Sequence, residues 1–133
     1  MLSQIFEYNG AAIVAMAGKD CIAIGSDLRF GVQFQTLATD YKKVYKIHDK
    51  LYIGLAGLGT DAQTMFGPYF VSPVIAGLDE KSNEPFICGM DTIGAIETAK
   101  DFMVAGTAPD SLYGMCESMW QPDMVSTPRP HKV

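Results

Sequence analysis

Apolar runs separated by short polar turns predict strand hairpins in the first half of the chain. Ala11 to Ala17 and Cys21 to Ile24 are apolar and flank a Gly-Lys-Asp turn, which predicts one hairpin. Lys43 to Ile47 alternates polar and apolar residues, and the apolar run Leu51 to Ala56 follows after a short turn. This pattern predicts a second hairpin.

The second half of the chain predicts a third hairpin, a further strand and one helix. Val71 to Leu78 and Phe86 to Met90 flank a polar turn, and Phe102 to Ala105 is a separate strand candidate. The residues after Gly106 can start a helix. Apolar residues at helical spacing predict its buried face, and Pro122 predicts its end. These apolar residues are Leu112, Met115, Cys116 and Met119.

In two segments the apolar residues do not recur at the spacing of a strand or a helix. Phe30 to Tyr41 mixes aromatic, amide and hydroxyl residues, so we expect an irregular excursion with one short strand. Residues 125–133 have no periodicity and are expected to form a disordered tail after a single domain at residues 1–124.

The order of the predicted elements indicates the fold class. Several hairpins are followed by glycine turns that open helices, which indicates an α+β layered sandwich.

The stretch from Leu51 to Asp61 predicts a strand, a glycine turn and a helix start. Backbone amides gathered at such a turn can bind an anion or an oxyanion, so a phosphate cradle and a hydrolase-type site both fit. The spacing of Gly57, Gly59 and Ala62, with Asp79 about 20 residues on, matches a dinucleotide-binding motif. However, Pro68 leaves little room for the long crossover helix that this motif requires.

Composition narrows the possible partners. The 133-residue chain carries a formal net charge of -5, which opposes binding to nucleic acid or to anionic membranes. Its three cysteines are far apart and predict neither a disulfide framework nor a zinc site. We expect no metal and no cofactor. No targeting segment is recognisable, which favours the cytoplasm and nucleus.

Short motifs spread from Phe6 to Met124 resemble those of proteasome beta subunits, which are N-terminal-nucleophile hydrolases. They are Asp27-Leu28-Arg29, Lys42-Lys43-Val44, Gly54-Leu55-Ala56-Gly57, Thr60-Asp61, the run Pro73 to Asp79, Gly106-Thr107 and the run Leu112 to Glu117. The resemblance implies a four-layer αββα sandwich. It also implies a hetero-oligomeric partnership with other proteasome alpha and beta subunits in stacked rings.

The resemblance further implies the roles of individual residues. Active family members use an N-terminal threonine as nucleophile, with a lysine, an aspartate and an oxyanion-binding glycine beside it. Asp27, Lys43 and Gly57 fall at the last three kinds of position, whereas Ala11 falls where the threonine would stand. Because alanine has no hydroxyl, we expect a non-catalytic structural subunit. Asp27 and Lys43 are then expected to form a structural ion pair.

The chain also departs from the family pattern. Relative to that pattern, most of the first helix is missing between Thr64 and Met65, and helix and strands are missing after Met124. The sandwich is therefore expected to be incomplete. A non-functional truncated isoform or a gene-model fragment remains an alternative to a working subunit.

Overall fold

The computed structural model describes residues 7–63 and 70–125. After Gly10, these residues form ten strands and two helices. The strands are β1 (Ala12–Gly18), β2 (Cys21–Ser26), β3 (Phe30–Val32), β4 (Gln35–Ala38), β5 (Val44–His48), β6 (Leu51–Gly57), β7 (Val71–Leu78), β8 (Pro85–Met90), β9 (Ile96–Ala99) and β10 (Phe102–Gly106). The helices are α1 (Gly59–Gln63) and α2 (Pro109–Met119).

The strands form two main sheets and one separate hairpin. One sheet has the strand order β10-β1-β2, and the other has the order β5-β6-β7-β8-β9, while β3 pairs only with β4. Every pairing is antiparallel. The three predicted hairpins, now β1–β2, β5–β6 and β7–β8, are confirmed.

The core lies between the two main sheets. Alternate residues of β1, among them Ile13 and Ala15, are fully buried and face buried residues of the other sheet such as Val74 and Ile87. The sheets approach closely at Gly54, where an added Cβ would lie 2.7 Å from the Cγ2 atom of Ile13. A period of two along buried strands therefore fixes which face of each sheet points inward.

Helix α2 packs on the outer face of the three-stranded sheet. The ring of Tyr113 lies 5.9 Å from that of Phe102, and the Trp120 indole donates a hydrogen bond to the carbonyl of Ala17 at 3.0 Å. The prediction that Met115 and Met119 are buried is wrong, because both are more than half exposed. Within the described residues no layer covers the far side of this helix.

The layer order agrees with the predicted αββα sandwich in incomplete form. Helix α2 and the two sheets supply three layers, and α1, which contacts β6, is only five residues long. Of the predicted tail at residues 125–133, only Val125 lies within the described part of the chain, so the prediction for residues 126–133 falls outside it.

The interpretation of Phe30 to Tyr41 as an irregular excursion with one strand is wrong. Two short strands, β3 and β4, pair there around Gln33 and Phe34. A register shift between Phe30 and Gly31 disturbs the alternation, which explains the absence of a sequence period.

Pro73 does not interrupt β7, although proline is usually excluded from the interior of a sheet. It pairs with Leu55, whose N–H points away from β7 to the carbonyl of Lys43. The Pro73 nitrogen therefore faces the side where β8 would lie, but the pairing with β8 begins only at Val74. The strand needs no N–H from Pro73, so proline is tolerated.

Candidate functional site

The candidate site is built around the ion pair of Asp27 and Lys43. Asp27 directly follows β2 and Lys43 directly precedes β5, and contact between these two strands of different sheets brings the residues together. The Lys43 Nζ atom lies 2.7 Å from Oδ2 and 2.8 Å from Oδ1 of Asp27. The Lys43 side chain is only 5% exposed, whereas that of Asp27 is 35% exposed.

The Asp27 carboxylate also binds the backbone. Its Oδ1 atom accepts the N–H of Ala12 at 2.9 Å, and its Oδ2 atom accepts the N–H of Arg29 at 3.1 Å. Lys43 makes a further hydrogen bond to the Gly10 carbonyl at 3.2 Å. The pair therefore fixes the chain on both sides of Ala11.

Ala11 is buried and offers no attacking atom. Its carbonyl accepts the N–H of Thr107 at 2.9 Å, and Gly106 packs so closely against it that an added Cβ would collide with the Ala11 oxygen. Gly106 and Thr107 thus form one wall of the site, a role that the sequence did not predict for them. The turn signal of a glycine before a helix start could have identified them.

Gly57 closes the opposite wall. It ends β6 with a φ of +134°, and an added Cβ would collide with the carbonyl oxygen of Phe70. Glycine is therefore required here for both backbone conformation and space. Ala11 and Gly57 line one small, partly open cavity of about 20 Å³, together with Ala56, Ser72, Gly106 and Thr107. A space of this size holds about one water molecule and no peptide.

Asn9 is a site residue that our sequence analysis missed. This buried side chain donates to the carbonyl of Gly31 at 2.9 Å and accepts the N–H of Gly59, the first residue of α1, at 2.9 Å. The carbonyl of the preceding Tyr8 accepts the N–H of Gln33 at 2.8 Å. The segment before Ala11 is therefore tied to both the β3–β4 hairpin and the start of α1.

The described cysteines do not supply a substitute nucleophile at the site. Burial raises the pKa of the Cys88 and Cys116 thiols, which disfavours their reactive thiolate forms. Cys21 begins β2, at the end opposite Asp27, and its thiol lies 3.7 Å from the carbonyl of Met124. None of the three lines the cavity at Ala11.

In residues 7–63 and 70–125, no group of three or more His, Cys, Asp or Glu side chains is placed to hold a metal ion. Among the same residues, no helix has the length and apolar character needed to cross a bilayer.

The structure contradicts the dinucleotide-binding alternative at Gly57, Gly59 and Ala62. Strands β6 and β7, which flank α1, are antiparallel neighbours, whereas that motif requires a crossover between parallel strands. The N–H of Gly59 is already bound by Asn9. A phosphate cradle at this turn is therefore not supported.

Comparison with known proteins gives the family. The sequence model of the proteasome subunit family matches residues 7–67 and 64–127. The chain therefore belongs to the proteasome subunit family. The two matches meet at residues 64–67, where the sequence predicted the internal deletion.

The most similar relatives include proteasome subunits beta type-3. The chain is 55% identical to that of Oryza sativa subsp. japonica and 53% identical to that of Picea mariana, in each case over 91% of this chain and 76% of the relative. It is 44% identical to the subunit of Drosophila melanogaster, over 91% of this chain and 77% of the relative. The aligned stretch is 157 positions, longer than the whole 133-residue chain. The relatives therefore carry internal residues that this chain lacks.

Proposed function

We propose that this chain is a non-catalytic structural beta subunit of the proteasome core particle. It acts through contacts with other alpha and beta subunits in the stacked rings, and so supports the degradation of ubiquitin-marked proteins by the active subunits. The relatives named as proteasome subunits beta type-3 support this assignment. The cytoplasm and nucleus are the proposed locations.

The observation that carries the proposal is Ala11. On the family resemblance it takes the position of the nucleophilic threonine, and no hydroxyl replaces it. The Asp27–Lys43 pair beside it has a structural task instead, since it binds the backbone of Gly10 and Ala12. Catalysis by covalent attack requires the nucleophile before any supporting group can act.

The segment before Ala11 supports the same proposal. Active members expose a threonine amine after cleavage of the preceding peptide bond, according to the resemblance. Here Asn9 and Gly10 make one buried and two partly buried hydrogen bonds that cleavage would separate from Ala11. An uncut Gly10–Ala11 bond is therefore part of the proposed subunit.

A non-functional fragment is the competing hypothesis, because the relatives have internal residues that are absent here. The retained site geometry favours a working subunit. The Asp27–Lys43 pair, the Gly57 turn and two antiparallel sheets form from the residues on either side of the missing segment.

Expression of an epitope-tagged chain in eukaryotic cells tests the proposal. We expect the tag to co-migrate with core particles on native electrophoresis, and a threonine-reactive inhibitor to label other subunits but not this one. The active subunits of the same particles are the internal control. Tagged chain found only outside the particles would support the fragment hypothesis, and labelling of the tagged chain would contradict its non-catalytic role.

A further inference from the structure

Asn9 and Gly10 form a dipeptide with a chemical reactivity that the proposed function does not use. The chain contains two asparagines, Asn9 and Asn83, and only Asn9 precedes a glycine. The backbone nitrogen that follows an asparagine can attack the asparagine side-chain carbon. A glycine nitrogen does so most readily, because glycine has no Cβ to hinder the approach and its backbone turns freely. In an unfolded chain, Asn9 is therefore the asparagine that reacts first.

The reaction converts the Asn9 amide to an acid. The Gly10 nitrogen loses its proton to hydroxide and bonds to Cγ of Asn9, and the Cγ–Nδ2 bond breaks, so that ammonia leaves with a proton taken from water. Water then opens the resulting cyclic imide. Opening at Cγ gives aspartate, and opening at the backbone carbonyl gives isoaspartate, in which the main chain runs through the side chain. The net change consumes water and releases ammonia.

The folded chain holds both reacting groups apart. The Asn9 side chain donates from Nδ2 to the Gly31 carbonyl and accepts the Gly59 N–H at Oδ1, each at 2.9 Å. The residue is only 7% exposed. The amide cannot turn onto the Gly10 nitrogen without breaking these bonds, and burial limits the access of hydroxide. Lys43 also binds the Gly10 carbonyl at 3.2 Å and so restrains the attacking residue.

The products do not fit the native contacts. A carboxylate has no N–H for the Gly31 carbonyl, so two oxygen atoms would face each other in place of the present hydrogen bond. Isoaspartate would instead add a carbon to the main chain just before Gly10, whose carbonyl binds Lys43. A chain modified at residue 9 therefore cannot restore the native arrangement before Ala11.

We propose that Asn9–Gly10 is a self-modification site that the fold suppresses, so that the chemical state of residue 9 records whether the segment before Ala11 has opened. Chains that remain folded keep asparagine at this position. Chains that stay open accumulate aspartate and isoaspartate and do not return to the native state. The reaction needs water and no other partner, so the proposal does not rest on the proposed function.

Asn83 is the internal control. It is exposed in the β7–β8 turn, where its side-chain oxygen accepts a hydrogen bond from the Lys50 ammonium at 2.6 Å. The next residue is Glu84, whose side chain hinders attack by its own backbone nitrogen. Asn83 should therefore react slowly in both the folded and the unfolded chain.

Incubation of the purified full chain at mildly alkaline pH, in buffer and in guanidinium chloride, tests the proposal. Mass spectrometry follows the tryptic peptide that ends at Lys19 for residue 9 and the peptide from Ser82 to Lys100 for residue 83. We expect Asn9 to convert in guanidinium and to convert at least about tenfold more slowly in buffer. Gly10→Ala should suppress conversion in guanidinium, because it adds the missing Cβ. Absence of conversion in guanidinium, or equal rates with and without it, would overturn the proposal.

Hydrogen exchange at Gly59 tests whether the fold acts through the hydrogen bonds described. The opening that frees the Asn9 side chain also frees the Gly59 N–H, so both reactions should accelerate together as guanidinium is added below the unfolding transition. Faster exchange at Gly59 without faster conversion of Asn9 would show that these bonds do not protect the site. Both measurements use the isolated chain, so their failure leaves the proposed role in core particles standing.

Discussion

The Lys43 ammonium contacts both carboxylate oxygens of Asp27, at 2.7 and 2.8 Å, across the junction between the two main sheets. Lys43 lies directly before β5 and Asp27 directly after β2. Because the lysine is almost fully buried, the carboxylate supplies the charge that its burial requires. The pair therefore explains why two charged residues persist beside an alanine that cannot act as a nucleophile.

A double-mutant cycle on this pair should give a clear coupling energy. We expect Asp27→Asn to destabilise the fold by about 2–3 kcal/mol. We expect this loss of stability to be smaller than that for a fully buried ion pair, because the Asp27 side chain is about one third exposed to solvent. Lys43→Met should cost less than Lys43→Ala, since methionine keeps most of the stem volume. Urea unfolding of both single variants and of the double variant Asp27→Asn/Lys43→Met measures the coupling, and additive effects would show that the pair is not an energetic unit.

Gly57→Ala should be among the most damaging single-methyl additions in the described chain. Its Cβ would collide with the Phe70 oxygen, and the φ of +134° strains any L side chain, so we expect a loss of about 2–4 kcal/mol. Gly94→Ala is the control, because Gly94 has a φ of +88° but open space around it. That variant should lose only about 1–2 kcal/mol. Equal losses in thermal or urea unfolding would mean that the Phe70 contact is unimportant.

Asn9→Leu should loosen the start of α1 without leaving a cavity. It removes the partners of the Gly59 N–H and the Gly31 carbonyl, and we expect a cost of about 2–4 kcal/mol. Hydrogen exchange locates the effect: the Gly59 amide should exchange faster. The Leu78 amide, which binds the Lys50 carbonyl at the other end of the sheet, serves as the reference. Equal acceleration at both amides would indicate global unfolding and not the proposed link.

Asp79 should make the β7–β8 turn sensitive to acid. Hydrogen bonds from the backbone N–H groups of Ser82 and Lys81 lower the pKa of Asp79 below its ordinary value of 3.8. A lowered pKa in the folded state adds stability at pH values above the unfolded pKa, and this stability is lost as the pH falls through the folded pKa. Asp79→Asn should therefore be less stable than the unmodified chain at pH 6, and the difference should shrink below about pH 4.

Urea unfolding of both chains between pH 6 and pH 3 measures this difference. Ser82→Ala retains both backbone donors and should keep most of the pH dependence. A difference between Asp79→Asn and the unmodified chain that stays constant over this range would contradict the assignment.

Sequence pattern predicted the strands that form apolar runs bounded by polar turns. Strand β1 is an apolar run that ends at a Gly-Lys-Asp turn, and β7 and β8 are apolar runs on either side of a polar turn, so these strands were identified. Strand β9 was missed because three of its four residues are exposed. Because β9 lies at the edge of the sheet and buries few side chains, its sequence does not alternate between apolar and polar residues.

The site was only partly accessible from sequence. Asp27, Lys43, Gly57 and Ala11 were found through the family resemblance. Asn9 was not, because its partners Gly31 and Gly59 are 22 and 50 residues away in the chain. An isolated asparagine before a glycine predicts a turn, and only the fold shows that its side chain bridges two distant elements.

Peptide mapping across the Gly10–Ala11 bond in assembled particles tests the central claim most directly. The first tryptic site in the sequence is Lys19, so an uncut chain yields a peptide that spans the bond. We predict that this peptide is recovered from core particles containing the tagged chain, with no peptide that begins at Ala11. A peptide beginning at Ala11 in those particles would show processing of the kind that active members undergo, and would contradict the account of this chain as an unprocessed, non-catalytic subunit.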